Sequence, residues 1–357
     1  MQRYTYGDID AAVPYVGEDG SRVISFFIFN TEVHLHAYGR GDAHLDAPAR
    51  LDAPQPDLDA ALMACRDRCV FFEGRLSRMR DDSDISRAHK RSPEPVEIAP
   101  ETAQLVRDAL GYCTNSRGCF DITMGTLTRL WDFHEGVVPT KLDLARALPH
   151  VGVGHIHMDE DVGAPTLSID DPATVLDLGG VAKGFIADDL ARLLVDAGVE
   201  RFVINLGGNV LVRGGRPQDA VSRPPVREGS PWKVGIVNPR DLGHYRAIVE
   251  ISDGSVVTSG LHERRFTKGG RTYHHILSPA DGMPARTDVA SATIIANRSM
   301  DCDGYSTTAL MLGMDEGLEF VEGLIGIEAV LISDTDEVRW TSGLGDRLSL
   351  VPTLPRW

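Results

Sequence analysis

Five cysteines in 357 residues, none in a Cys-x-x-Cys spacing, are too few and too scattered for a disulfide framework or a zinc site. Cys65 and Cys69 fall in "ALMACRDRCVFFEGRL", where Leu62, Cys65, Cys69, Phe72 and Leu76 step by three and four residues, so they are expected as core thiols on one helical face. Long apolar runs are missing too. The longest early one, "VISFFIF", is far short of the roughly 20 residues a membrane helix needs. The start has no basic region followed by an apolar stretch, and no cysteine precedes Cys65, so neither export nor lipid attachment is indicated and a cytoplasmic location is expected. Positive charge is in deficit, with 36 basic against 52 acidic residues, a net charge of -16 and a pI near 5.1. Such a field repels a nucleic-acid backbone. A bound pyrophosphate would need local help from a metal, a lysine or backbone N–H groups.

What is present is ordinary globular composition, 42% hydrophobic and 25% charged, without fixed-period repeats or low-complexity tracts. Residues 23–39 alternate and read as a strand pair; residues 39–57, rich in Pro, Gly and Asp, read as a surface excursion. Helices are expected over 58–79 and after Pro100. "ATVLDLGG" reads as a strand running into the amphipathic helix "VAKGFIADDLARLLVDAG". "RFVINLGGNVLVRGG" reads as two strands around a glycine pair, residues 215–231 as a loop, and "WKVGIVNP", "YRAIVEIS" and "GSVVTSG" as further strands before a last hairpin in "IEAVLISDTDEVRWTSGL". The sum is an α+β fold, expected as one catalytic unit over residues 1–357.

Four stretches can carry chemistry. In "DLGGVAKG", Gly179 and Gly180 admit a ligand close to the backbone, the helix behind them offers free N–H groups, and Lys183 adds a charge. It is not a Walker A loop, because Lys183 precedes Gly184 and no Ser or Thr follows; a tight turn with a solvated lysine is the competing reading. Gly207 and Gly208 in "NLGGNV" form either a turn or a surface for a flat ligand. In "MDCDGYSTTALMLG" a helix over 301–312, stopped by Gly313, makes Asp303 and Thr307 neighbours one turn apart, with Cβ atoms roughly 5 to 6 Å from each other. That is hard oxygen ligation suited to magnesium, unless Asp303 caps its own helix and Thr307 bonds back to the backbone. In "YHHILSPADGMP" alternation puts Tyr273 and His275 on one face and His274 on the other, so one histidine at most faces a site. An imidazole there is partly neutral at pH 7 and able to take a proton from a hydroxyl.

Taken in order, "FDITMGTLTRLWDF", "LDLGGVAKGFIADD", "NLGGNV", "VVTSG", "HHILSPADGMP" and "CDGYSTTAL" resemble the ApbE family of flavin transferases, from about residue 23 to the end. The resemblance implies a T-fold-like α+β architecture of two lobes with the flavin between them. It implies a Mg²⁺-dependent reaction in which FAD is split at its pyrophosphate, FMN is joined to a Ser or Thr hydroxyl of an acceptor flavoprotein, and AMP leaves. By that resemblance Asp303, Thr307 and the carbonyl of Ala182 would hold Mg²⁺, with Asp303 essential to catalysis, and His275 would assist attack by the acceptor. Asp121, Thr123, Lys183, Asp188, Gly207, Gly208, Ser259 and Gly260 match positions that contact FAD. Two departures stand out: Phe29-Asn30-Thr31 where Met-Gly-Thr is frequent, and Met79 where an aromatic able to stack on a ring is common. An FAD pyrophosphatase, releasing FMN and AMP, and a non-catalytic FAD carrier are the alternatives; neither nucleic acid nor a membrane is expected as a partner.

Overall fold

The computed structural model describes residues 7–39, 55–161, 163–217 and 227–352. The expected excursion at 40–54 and the centre of the expected loop at 218–226 lie outside the described residues.

The main sheet is one meander. Its strands β1 (Tyr15–Val16), β2 (Arg22–Ile28), β3 (Thr31–Tyr38), β4 (Arg201–Leu206), β5 (Asn209–Arg213), β6 (Gly254–Gly260), β7 (Val289–Ala296), β8 (Ile327–Ser333) and β9 (Val338–Trp340) lie side by side in chain order. Every neighbouring pair is antiparallel. Most of the remaining elements are insertions between these strands. Helices α1 (Leu58–Leu76), α2 (Pro100–Asn115) and α3 (Ala182–Asp196) come between β3 and β4. A three-stranded antiparallel sheet, Trp232–Asn238 and Asp241–Ile251 with the late strand Leu348–Leu350, starts between β5 and β6. A hairpin of Arg265–Lys268 and Arg271–His274 separates β6 from β7, and α4 (Ser299–Leu312) and α5 (Met314–Glu322) separate β7 from β8.

Side-chain alternation makes three layers of this. On one face of the sheet Leu35, Phe202, Ile204 and Ile294 pack with Leu62, Cys65, Cys69 and Phe72 of α1 and Leu190 and Leu194 of α3. On the other, Val212, Val256, Ile295 and Val330 meet Ile236, Ala247 and Val249 of the small sheet. Ile294 and Ile295 thus belong to different cores, which is why β7 reads as unbroken hydrophobic sequence. The α1 thiols are fully buried, and burial pushes Cys65 up to about 12, so it behaves as a small apolar group.

The α+β reading holds, as do the strand pair at 23–39, the two glycine-linked strands and the closing hairpin. One expectation is corrected. "ATVLDLGG" forms no strand; Val175 makes a single bridge to Met124. Its N–H groups go elsewhere: Val175 to the Thr126 hydroxyl, Leu176 to the His89 ring and Asp177 to the Ile122 carbonyl. Acceptors from segments distant in the chain, two side chains on short helices and one backbone carbonyl, replace the ladder, and sequence alternation cannot register that.

Candidate active site

Two helix starts without caps of their own solve the problem for each other. At α3, Val181 supplies no capping side chain, and at α4 neither does Arg298, so N–H groups at both ends need acceptors. Gly184 N–H donates to Asp303 Oδ2 at 2.6 Å, and Asp303 lies on α4. In return Asp188 of α3 accepts from Ser299 N–H at 2.8 Å and Met300 N–H at 3.0 Å. Asp303 is the fifth residue of α4, so it caps the neighbouring helix and not its own, which corrects that alternative. A Cβ at Gly184 would sit 2.5 Å from the Ser299 carbonyl and 2.6 Å from Met300 Cα, so only glycine lets the helices cross this closely.

This packing sets the electrostatics. Burial pushes the Asp303 carboxyl up, while Lys183, the Gly184 N–H and Asn209 pull it down. Asp188 rises to about 6 through burial, against the pull of the two N–H groups. Thr307 stands one turn after Asp303, its hydroxyl 3.2 Å from Ser259 Oγ, which is itself 2.8 Å from Ser306 Oγ. Ser259 and Gly260 end β6, and the His262 ring lies against Gly260.

The histidines arrive on the following hairpin. His274 is its last strand residue, buried and opposite Arg265, with its ring lowered by that burial. His275 lies just beyond, with its side chain 16% exposed and Nε2 3.9 Å from Glu263 Oε2. Its ring is pushed down to about 4, chiefly by burial and then by the Arg264 charge. It is therefore neutral at pH 7. Lys183 acts electrostatically on both Asp303 and Glu263, so His275, Glu263, Lys183 and Asp303 form one connected set drawn from the hairpin, α3 and α4.

Other residues singled out from the sequence sit at varying remove. Gly207 and Gly208 make the two-residue turn between β4 and β5, at φ 62° and 95°. A Cβ on Gly207 would lie 2.0 Å from Thr31 Oγ1, so this turn abuts the one between β2 and β3, where Phe29 and Asn30 also have positive φ. Asn209, next in the chain, is buried and accepts from Ser299 Oγ at 2.8 Å. Thr123 is fully buried; its hydroxyl donates to Asp121 at 2.6 Å and accepts from Gly152 N–H at 2.8 Å. Asp121 and Thr123 thus brace the loop whose Ile122 holds Asp177, just ahead of Gly179. Asp188 has both oxygens engaged by α4, which makes it a positioning residue. Met79 is almost wholly exposed. Glu263 and Asn209 went unselected in the sequence, because neither stands in a spacing that marks a site.

Comparison with known proteins shows what the chain as a whole is similar to. A profile of the ApbE family matches residues 29–331. The FAD:protein FMN transferase of Treponema pallidum is 34% identical over 305 residues, 84% of each chain. That of Salmonella typhimurium is 32% identical over 257 residues, 70% of this chain and 71% of the relative. The flavin transferase ApbE from Vibrio cholerae superposes with a TM-score of 0.74 at 25% identity, over 92% of this chain and 99% of that one. The ApbE protein of Thermotoga maritima, at 23% identity and a TM-score of 0.77, shares the fold. By the extent of the profile match and the level of identity, the chain belongs to the ApbE family.

Proposed function

We propose that this chain is a Mg²⁺-dependent FAD:protein FMN transferase, acting as one catalytic unit on FAD and an acceptor flavoprotein. The observation that carries the reading is the convergence of Asp303, Lys183, Glu263 and a neutral His275 beside the α3 start, in a chain whose relatives bear that activity's name. The donor chemistry suits the metal. Asp303, the Thr307 hydroxyl and the Ala182 carbonyl are hard oxygen donors, and a carboxyl raised by burial becomes fully ionised beside a cation. Mg²⁺ there would neutralise charge on the pyrophosphate oxygens, the larger part of catalysis in phosphoryl transfer.

The protein's own groups do the rest. Lys183 at the α3 start adds positive charge against the phosphates, together with the helix N–H groups. His275 takes the proton from the acceptor Ser or Thr as its oxygen bonds to the FMN phosphorus and the bond to the AMP oxygen breaks. Glu263, 3.9 Å away, stabilises the imidazolium so formed. The test is incubation with FAD and Mg²⁺, with and without a candidate acceptor domain, following AMP and acceptor mass. AMP with one FMN mass added to the acceptor is expected. AMP with free FMN in both tubes would make the protein a pyrophosphatase, and intact FAD in both would make it a carrier.

A further inference from the structure

A buried chain of hydrogen bonds joins three elements around Asp303, and the reaction as described above does not use it. Ser255 Oγ of β6 lies 2.9 Å from both Ser299 Oγ and the Val210 carbonyl, and the hydroxyl of Ser299, the first residue of α4, donates to Asn209 Oδ1 at 2.8 Å. All three side chains are buried. Asn209 opens β5 opposite Leu206, directly after the glycine pair, where Gly208 N–H donates to Asn205 Oδ1 at 2.9 Å. The glycines are exposed and Asn209 is not, so the turn delivers this amide to the interior within one residue. The other end of the amide is the anomaly. Asn209 Nδ2 is buried and makes no hydrogen bond of ordinary geometry among the described residues. A buried donor left open is unfavourable and calls for a partner. The group it acts on is Asp303, whose charged form Asn209 favours together with Lys183 and the Gly184 N–H. Turning the amide over would bring its carbonyl oxygen toward that carboxylate; the Ser299 hydroxyl, by donating to Oδ1, keeps the N–H end there instead.

We propose that Asn209 is a positioning residue for the metal: its amide, itself held by Ser299, fixes the Asp303 carboxylate in the orientation that takes Mg²⁺. The inference rests on the metal site of the transferase reading above. Gly184 N–H holds Asp303 Oδ2 from the α3 side, and Asn209 acts from the sheet side, so the carboxylate is gripped from two layers of the fold. A ligand fixed beforehand gives up less freedom when the ion arrives, and the partners that hold a ligating carboxylate therefore contribute to metal affinity without touching the metal. The residue type suits the task. An amide offers a donor to Asp303 and an acceptor to Ser299 at once and adds no charge beside the carboxylate, which neither an aspartate nor an alkyl side chain can do.

The test compares the full wild-type chain with N209A, S299A and S255A. Mn²⁺ is the probe, since it takes the same hard oxygen ligands as Mg²⁺ and its free ion gives an EPR signal that is lost on binding. It is titrated into each protein with and without FAD. N209A is expected to bind Mn²⁺ about tenfold more weakly, and S299A, which frees the amide to turn over, to weaken in the same direction by less. S255A keeps the bond from Ser299 to Asn209, so it should lose thermal stability and bind Mn²⁺ as the wild type does. Acceptor-free AMP release by N209A should need about tenfold more Mg²⁺ for half its maximal rate, while FAD affinity measured in EDTA stays at the wild-type value. If N209A does not fold, S299A set against S255A gives the same discrimination. Wild-type Mn²⁺ affinity in N209A and S299A, with stability lowered, would make Asn209 a joint between β5 and α4 only and overturn the proposal. So would a fall in FAD affinity in EDTA as large as the fall for Mn²⁺, because the whole site would then have loosened. A wild-type chain that takes up no Mn²⁺ in either titration sinks the metal assignment and this inference with it, whereas equal uptake by wild type and variants sinks the inference alone.

Discussion

At the crossing of α3 and α4, buried Asp303 and half-buried Asp188 are bound to each other's helix starts, whereas on the hairpin after β6 Arg264, Arg265, Lys268 and Arg271 are exposed and have no ion-pair partner among the described residues. The first arrangement fixes geometry before any substrate arrives, so its charges are held in place at the cost of desolvation. The second keeps its charges at the surface, with Lys268 on the Gly136 carbonyl and Arg271 over the Tyr273 ring. In one region packing fixes where the charges stand, and in the other the side chains remain exposed.

The largest way to break that contrast is Asp303→Asn. AMP release from FAD should drop to background and lose its response to Mg²⁺; normal turnover would remove Asp303 from the metal site. Next comes His275→Ala, expected to slow transfer by about 10² to 10⁴-fold with FAD affinity nearly intact. His274→Ala, inside the fold, should act mainly on thermal stability, and an equally inactive His274 variant would overturn the division of labour between the two rings. Gly184→Ala tests the crossing by sterics: the new methyl meets the Ser299 carbonyl, so urea unfolding should show about 1 to 3 kcal/mol of destabilisation. Wild-type stability in that variant would mean that the helices can part without loss.

Asp188 sharpens the picture by the smallest margin. Its carboxyl is raised to about 6 against an unfolded value of about 3.9, so the folded state holds the extra proton. Its contribution is therefore complete below about pH 4 and is lost as pH rises through about 6, by roughly 3 kcal/mol. Comparing wild type with Asp188→Asn in urea at pH 4.5 and 7.5 isolates this term, since the amide does not titrate. A difference that stays constant with pH would show that Asp188 is not desolvated in this way. His275 titrates in the opposite sense: held near 4, it is lost as a base only on acidification below about 5, so acceptor transfer should be flat from pH 6 to 8 as far as this ring is concerned.

Much of the architecture was legible from periodicity, because alternation and the 3.6-residue repeat are properties of neighbours in the chain. The pair β2 and β3, the α1 face with Cys65 and Cys69, and the Asp303 to Thr307 spacing on α4 all belong to that class. The segment before Gly179 escaped, since its N–H groups are answered by Thr126, His89 and Ile122, residues whose approach no local pattern encodes.

What the sequence determined by itself, then, is the family pattern, the set of oxygen donors and histidines, and the count of charges of each sign. Only the tertiary structure decided that Asp303 and Gly184, 119 residues apart, bind each other, and that Asp188 supports α4. It also decided that burial keeps His275 neutral. The physical reason is the same in each case: hydrogen-bond satisfaction, desolvation and ion pairing depend on which distant groups share a space, and that is set by packing and not by spacing along the chain.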